Sequence, residues 1–227
     1  GTLVITGIAM LVATPLGLGA AVFLSEYASP RARRLFKPII ELLAGIPSVV
    51  LGFYALAVLA PSVVQPLCNS NSIFSMGAAG LGVGILITPL IASVAEDAMH
   101  AVPMSLREAS YGLGARKRST SLRVVAPAAV SGIVASLILG ASRAIGETMV
   151  VAIAAGAVGG SIFTINPCLP GQTMTAAMTA LATGSDQARG DSLAYPSLFF
   201  VGLLLFAVTL ILNVVSERFV RATRRAY

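Results

Sequence analysis

Five long apolar runs dominate the sequence and limit what it can fold into. Each is close to the ~20 apolar residues that a helix needs to cross the ~30 Å hydrocarbon layer of a membrane. The strands of a membrane β-barrel alternate apolar and polar residues, and these runs do not. The sequence therefore predicts an all-α, polytopic membrane protein with one transmembrane domain over residues 1–227. The predicted helices cover about 2–24, 39–60, 78–99, 128–158 and 197–216.

The basic residues predict the orientation of the chain. Lys and Arg number four in residues 25–38, five in 100–127 and four after residue 216, whereas the two other loops together carry only Arg189. Because cytoplasmic loops retain positive charge, the three basic segments are expected in the cytoplasm, with residue 1 outside and Tyr227 inside. We also expect at least one further helix upstream. The net charge of +6 is then explained by topology, without nucleic-acid binding.

A polar, basic stretch, REASYGLGARKRSTSLRVVAP, interrupts the apolar pattern at residues 107–127. Leu106 to Leu113 can form a short amphipathic helix and Gly114 can turn the chain. Pro127 can then begin the next membrane helix, where no N–H donor is needed. A basic loop lying on anionic lipid headgroups is the alternative. It accounts for the positive charge but not for Glu108, the glycine or the proline.

This stretch resembles the EAA loop of ABC importer permeases, which has Glu-Ala-Ala, a Gly six residues after the Glu, and a closing Leu-Pro. Ser110 stands at the second Ala, and Ala126 stands at the Leu. The resemblance implies that residues 100–127 are a cytoplasmic coupling loop that docks in a cleft of an ATP-binding subunit. The residues assigned to that contact are Glu108, Ala109, Ser110, Gly114, Arg116, Lys117 and Arg118.

A second polar group lies inside the fourth run, in GASRAIGETMVVAIAAG at residues 140–156. Arg143 is expected deep in the bilayer, where a charge costs several kcal/mol and needs a partner or water. Glu147 is four residues on, so the two are predicted to share one helix face and to pair. The pair could be purely structural. It could also line an anion path, because a guanidinium binds phosphate oxygens in a bidentate manner.

The segment RAIGETMVV resembles the RA-x-GETMAV signature of phosphate-specific ABC importer permeases of the PstC type. The resemblance implies a bacterial inner-membrane subunit that forms the translocation path for phosphate. It also implies a second, PstA-type permease, two copies of an ATP-binding subunit and an extracytoplasmic phosphate-binding protein as partners. No G-x-x-x-x-G-K-[ST] occurs, so ATP-Mg is expected on the partner and no cofactor on this chain.

Other function classes remain open at this stage. The chain could carry another oxyanion, such as sulfate, molybdate or phosphonate. A secondary phosphate carrier would commonly show paired repeats, and none is visible. A membrane-embedded phosphotransferase or phosphatase would need a nucleophile or metal site, and no such spacing occurs, so no catalytic or metal-binding residue is assigned.

Three smaller features carry expectations of their own. Cys68 and Cys168 both fall in loops assigned to the outside, where an oxidising compartment would permit a disulfide. Glu96 and Asp97 end the third run, where the helix dipole disfavours acidic groups, so they are expected to reach water or a basic neighbour. Glu41 is interpreted either as a favourable charge at a helix start or as part of a gate.

Overall fold

The computed structural model describes residues 1–156, 164–183 and 194–224, and α-helices make up most of them. This confirms the all-α prediction for the described residues. Three π-helical segments extend or join the helices, at Phe23–Tyr27, Ala55–Val64 and Ser121–Val125. The helices are α1 Thr2–Val22, α2 Pro30–Leu43, α3 Ser48–Tyr54, α4 Gln65–Cys68, α5 Met76–His100, α6 Met104–Gly112, α7 Lys117–Thr120, α8 Ala126–Ala128, α9 Val130–Gly146, α10 Met149–Ala154, α11 Met174–Thr183 and α12 Ala194–Arg224.

Among the described residues, four continuous helical stretches are long and apolar enough to cross a membrane. They are Thr2–Tyr27, Ser48–Cys68, Met76–His100 and Pro196–Val215. A fifth candidate is a bent pair, in which Lys117–Ala128 and Val130–Gly146 meet at 72°. The five predicted runs therefore each have a helical counterpart, but two of them have the wrong bounds.

The second predicted helix, at 39–60, is wrong in its bounds. Residues 39–43 end α2, and the apolar span begins only at Ser48. Pro47 explains the break, because the residue before a proline is disfavoured in the α conformation and Pro47 itself is extended, with φ −57° and ψ 129°.

The fourth predicted helix, at 128–158, is wrong as a single element. The chain bends at Ala129, where φ is −91° and ψ is 4°, and the helix stops again between Gly146 and Met149. The next helix ends at Ala154, and Gly156 has a φ of +90°. Residues 157–158 lie outside the described residues, as do Arg189 and Tyr227.

Contacts within the chain group it into two compact units. The first comprises Gly1–Val12, Ile46–Ile87 and Ala141–Ile211, and the second comprises Ala13–Gly45, Thr88–Gly140 and Leu212–Tyr227. The first unit holds the Arg143 segment and both cysteines, whereas the second holds the candidate coupling loop. The single transmembrane domain expected from the sequence stays a prediction.

Small residues allow close helix packing inside each unit. In the first, a Cβ added to Gly52 would lie 3.0 Å from the Cα of Val150, so α3 and α10 touch through backbone. In the second, a Cβ added to Gly132 would overlap the Cβ of Ala98, so the glycine allows α9 to pack closely against α5. Such contacts hold helices together in lipid, where no hydrophobic force drives them to associate.

Candidate coupling helix and transport path

Helix α6 is held in a defined shape at its C-terminal end. Leu113 caps the helix, and Gly114 follows with a φ of +77°. The Gly114 N–H donates to the carbonyl of Tyr111 at 2.9 Å, and the Ala115 N–H donates to the carbonyl of Ser110 at 3.1 Å. These two bonds form a Schellman motif, whose left-handed position favours glycine. The glycine of the EAA-like pattern is therefore a helix stop.

Six of the seven residues assigned to ATPase contact are exposed. They are Glu108, Ala109, Gly114, Arg116, Lys117 and Arg118. Leu113, at the tip of the turn, is 90% exposed although it is strongly apolar. The seventh, Ser110, is half-buried, and its hydroxyl hydrogen-bonds to that of Thr120 at 2.9 Å. Ser110 thus joins α6 to α7 and is less available to a partner.

Arg107 is a functional candidate that the sequence reasoning missed. Its guanidinium is buried and forms an ion pair with Glu26 at 2.9 Å between Nη2 and Oε1. The same group donates to the carbonyls of Met99, at 2.9 Å, and Val102. Glu26 is an acidic residue at the end of the first apolar run. A carboxylate at that place needs a basic partner, and this need could have pointed to Arg107.

A second cluster of charges lies at the end of α5 and explains Glu96 and Asp97. The Glu96 carboxylate is buried between Arg33, at 2.7 Å, and Lys37, at 3.0 Å. Lys37 also pairs with Asp97. The expectation that these acidic groups reach a basic neighbour is therefore confirmed. Burial lowers the pKa of Lys37, but hydrogen bonds and charge attraction from Asp97 and Glu96 outweigh burial and raise it above its usual 10.5.

Arg143 and Glu147 do not form the ion pair that was predicted. The helix ends at Gly146, so the two are not on one continuous helix face. The Glu147 carboxylate instead accepts hydrogen bonds from the backbone N–H groups of Met149, at 3.1 Å, and Val150, at 3.3 Å. The Thr175 hydroxyl donates to the Glu147 carbonyl at 2.8 Å. Oε1 of Glu147 thus satisfies two backbone N–H groups at the start of the next helix, which the helix break leaves without intrahelical partners.

The Arg143 side chain is exposed, about 20 Å along α9 from the bend at 1.5 Å per residue. It forms no ion pair with any residue that the structure describes. With no carboxylate partner among the described residues, such a guanidinium can present its planar fork to an oxyanion.

Cys68 and Cys168 form a disulfide, with their Cα atoms 5.7 Å apart. Cys68 is the last residue of α4, and the loop of Cys168 is also joined to the start of α5, since the N–H groups of Met76 and Gly77 donate to the carbonyls of Leu169, at 3.0 Å, and Pro167, at 2.7 Å. The bridge that the sequence left open is present. Within the described part of the chain, no group of three or more His, Cys, Asp or Glu residues could hold a metal ion.

The model of one protein family, described as the binding-protein-dependent transport system inner membrane component, matches residues 13–225. The chain belongs to this family. It is therefore a multi-pass membrane permease of a binding-protein-dependent transport system, and the family resemblance is confirmed. The match covers both the candidate coupling loop and the Arg143 segment.

Several named permeases are similar in sequence to this chain. The chain is 36% identical over 96% of its length to the phosphate transport system permease protein PstC of Mesorhizobium japonicum, and it spans 70% of that protein. It is 33% identical over 99% of its length to PstC 1 of Mycobacterium tuberculosis, of which it spans 71%. The probable ABC transporter permease YqgH of Bacillus subtilis is 40% identical over 66% of this chain. This chain spans 48% of that relative, so less than half of it is matched.

Solved structures show the same fold at lower identity. An inward-facing MetNI methionine ABC transporter chain matches 98% of this chain with a TM-score of 0.73 at 18% identity, and 92% of that chain is covered. An amino acid ABC transporter matches 97% with a TM-score of 0.61, and 90% of its chain is covered. These likenesses concern the fold alone.

Proposed function

We propose that this chain is the PstC-type permease subunit of an ATP-driven phosphate importer and forms part of the path that the anion takes. The observation that carries the proposal is the similarity to proteins named PstC over 96% of the chain, RAIGETMVV included. Two features of the structure support it: an exposed helix suited to an ATPase, and an exposed arginine suited to an anion.

Helix α6 supports the ATP-driven part of the proposal. Its outer surface presents Glu108, Met104 and Leu113, a mixture of one carboxylate and two apolar side chains. An exposed apolar patch rimmed by charge is typical of a protein interaction site. We assign this surface to the cleft of an ATP-binding subunit, with ATP-Mg held there and no cofactor on this chain. The basic residues Arg116 and Arg118 add electrostatic support.

Arg143 supports the oxyanion part. An arginine without a carboxylate partner can offer two parallel N–H groups to a phosphate. Glu147 is occupied by backbone donors, so it does not compete directly for the guanidinium. We infer that the path is shared with a second, PstA-type permease, and that an extracytoplasmic phosphate-binding protein delivers the anion.

The proposed orientation places α6 and the three basic segments in the cytoplasm, with the C-terminus there as well. The disulfide supports this assignment, because Cys68 and Cys168 lie in the loops assigned to the outside and disulfides persist in oxidising compartments. The membrane is then the bacterial inner membrane. Labelling of single cysteines with an impermeant reagent tests it: positions near Gln172 should react from outside, and those near Lys117 should not.

The experiment that tests the function uses the full-length chain purified with its partners in proteoliposomes. Phosphate with the binding protein should stimulate ATP hydrolysis and drive uptake that continues after ion gradients are dissipated. Uptake that follows a proton or Na⁺ gradient instead would identify a secondary carrier. Stimulation by sulfate, molybdate or phosphonate in place of phosphate would keep the importer and change its substrate.

A further inference from the structure

The buried guanidinium of Arg107 joins three parts of the second unit. It lies on α6, it pairs with Glu26 in the π-helical turn that ends the first span, and it donates to the carbonyls of Met99 and Val102 at the end of α5. Both side chains of the pair are nearly inaccessible, with 9% of Arg107 and 3% of Glu26 exposed. One side chain thus connects the candidate coupling helix to the ends of two spans.

The arrangement is specific for arginine and for a carboxylate. A guanidinium offers five N–H donors in a fixed fork, which allows it to serve one carboxylate and two carbonyls together, whereas a lysine ammonium is a compact point charge. The Glu26 Oε1 atom that receives Arg107 also accepts from the Ser25 hydroxyl at 3.0 Å. Opening such a pair would leave a buried charge without compensation, so α6 cannot move away from the span ends at little cost.

Two weaker contacts act in the same direction. The Lys117 ammonium lies 5.2 Å from the centre of the aromatic ring of Tyr27. Tyr27 directly follows Glu26 in the sequence. The hydroxyls of Ser110 and Thr120 join α6 to α7 at 2.9 Å. Consecutive residues of the first span therefore contact both helices of the coupling loop.

We propose that Arg107 is a positioning residue that makes α6 and the ends of the first span and α5 move as one body, with Glu26 as its partner. A displacement of α6 by the ATP-binding subunit is then passed to the two spans through this buried pair. Two exposed basic residues of the loop, Arg116 and Arg118, form no ion pair with any described residue and offer no such connection. The inference rests on the proposed function of α6.

The test compares Arg107→Lys and Glu26→Gln with Arg123→Lys in the complete transporter in proteoliposomes. Arg123 lies in the same loop but is exposed, so its substitution is the same chemical change without a buried fork. Assembly, basal ATP hydrolysis, hydrolysis stimulated by the phosphate-loaded binding protein, and phosphate moved per ATP are measured for each. In the two pair variants, stimulation and phosphate per ATP should fall by about tenfold or more, since Lys lacks the fork that reaches the carboxylate and both carbonyls, and Gln removes the charge of Glu26. Assembly and basal hydrolysis should persist, and Arg123→Lys should match the wild type.

The double variant Glu26→Gln with Arg107→Lys separates action through the pair from two independent effects. If the residues act together, the double variant should be no worse than the worse single variant. Additive losses, or stimulation within about twofold of wild type in both single variants, would overturn the proposal. Loss of assembly in both would reduce the pair to a folding element and overturn it as well. If phosphate stimulates neither ATP hydrolysis nor uptake in the wild-type complex, the proposed function is refuted. That failure is distinct from a failure of the Arg107–Glu26 proposal, which appears only in the variants.

Discussion

The glycine that ends α6 allows a quantitative test of the shape of this candidate coupling helix. Gly114 has a φ of +77°, and a Cβ added to it would meet no atom within 4 Å. The substitution Gly114→Ala therefore changes only the backbone preference, which disfavours the left-handed region by about 1–2 kcal/mol for a residue with a Cβ. Gly112 is the matched control, because it is helical and its added Cβ also meets nothing within 4 Å. There Ala should stabilise by about 0.5–1 kcal/mol.

Amide hydrogen exchange over residues 109–116 measures both changes in the assembled transporter. The N–H groups of Gly114 and Ala115 donate within the motif, so their protection reports how often the turn opens. Gly114→Ala should speed their exchange by about 5- to 30-fold, and Gly114→Asn should lie between, since Asn tolerates this conformation. Gly112→Ala should slow it. Equal effects at the two positions, or none at Gly114, would refute the helix-stop reasoning.

Three further outcomes follow from the contacts. Arg143→Gln should stop phosphate uptake while the complex still assembles. Exchanging Arg143 with Glu147 should not restore uptake, because an arginine cannot accept hydrogen bonds from the backbone N–H groups that now donate to Glu147. Recovery of uptake in the exchanged variant would contradict this. Cys68→Ala should lower the melting temperature, since a bridge across about 100 residues contributes up to ~4.7 kcal/mol; an unchanged melting temperature would argue against the bridge. Lys37→Met should lower the melting temperature more than Arg31→Met, since Arg31 is exposed. Because the pKa of Lys37 is raised in the folded protein, its contribution to stability persists at neutral pH and is lost only as the pH rises above 10.5.

Sequence reasoning was accurate where a residue type has few uses. Glycine at a helix end predicts a left-handed turn, and Gly114 makes one. Two cysteines assigned to the same side of the membrane allow at most one bridge, and it is present. Long apolar runs predict membrane-spanning helices because the thickness of the hydrocarbon layer sets the length of helix needed, and each run has a helical counterpart.

It was less accurate where a charged residue has several uses. Arg107 stands beside Glu108 in a basic stretch, so it was counted only as positive charge, although the two point to opposite environments, one buried and one exposed. The helical spacing of three between Arg107 and Ser110 marks the inner face of α6. The predicted pairing of Arg143 with Glu147 failed for a related reason, since spacing of four brings side chains together only if the helix is continuous.

The two arginines Arg107 and Arg143 lie in opposite environments, which fits the different roles proposed for them. Arg107 is buried and its donors are used by one carboxylate and two carbonyls, so little capacity remains for a ligand. Arg143 is exposed and pairs with no carboxylate in the described part of the chain. In the proposed path, an anion beside Arg143 binds without first breaking an ion pair to a described residue, and this lowers the barrier to its entry. In the proposed mechanism, the buried and paired guanidinium of Arg107 holds the candidate coupling helix in place, whereas the exposed guanidinium of Arg143 binds and releases the anion.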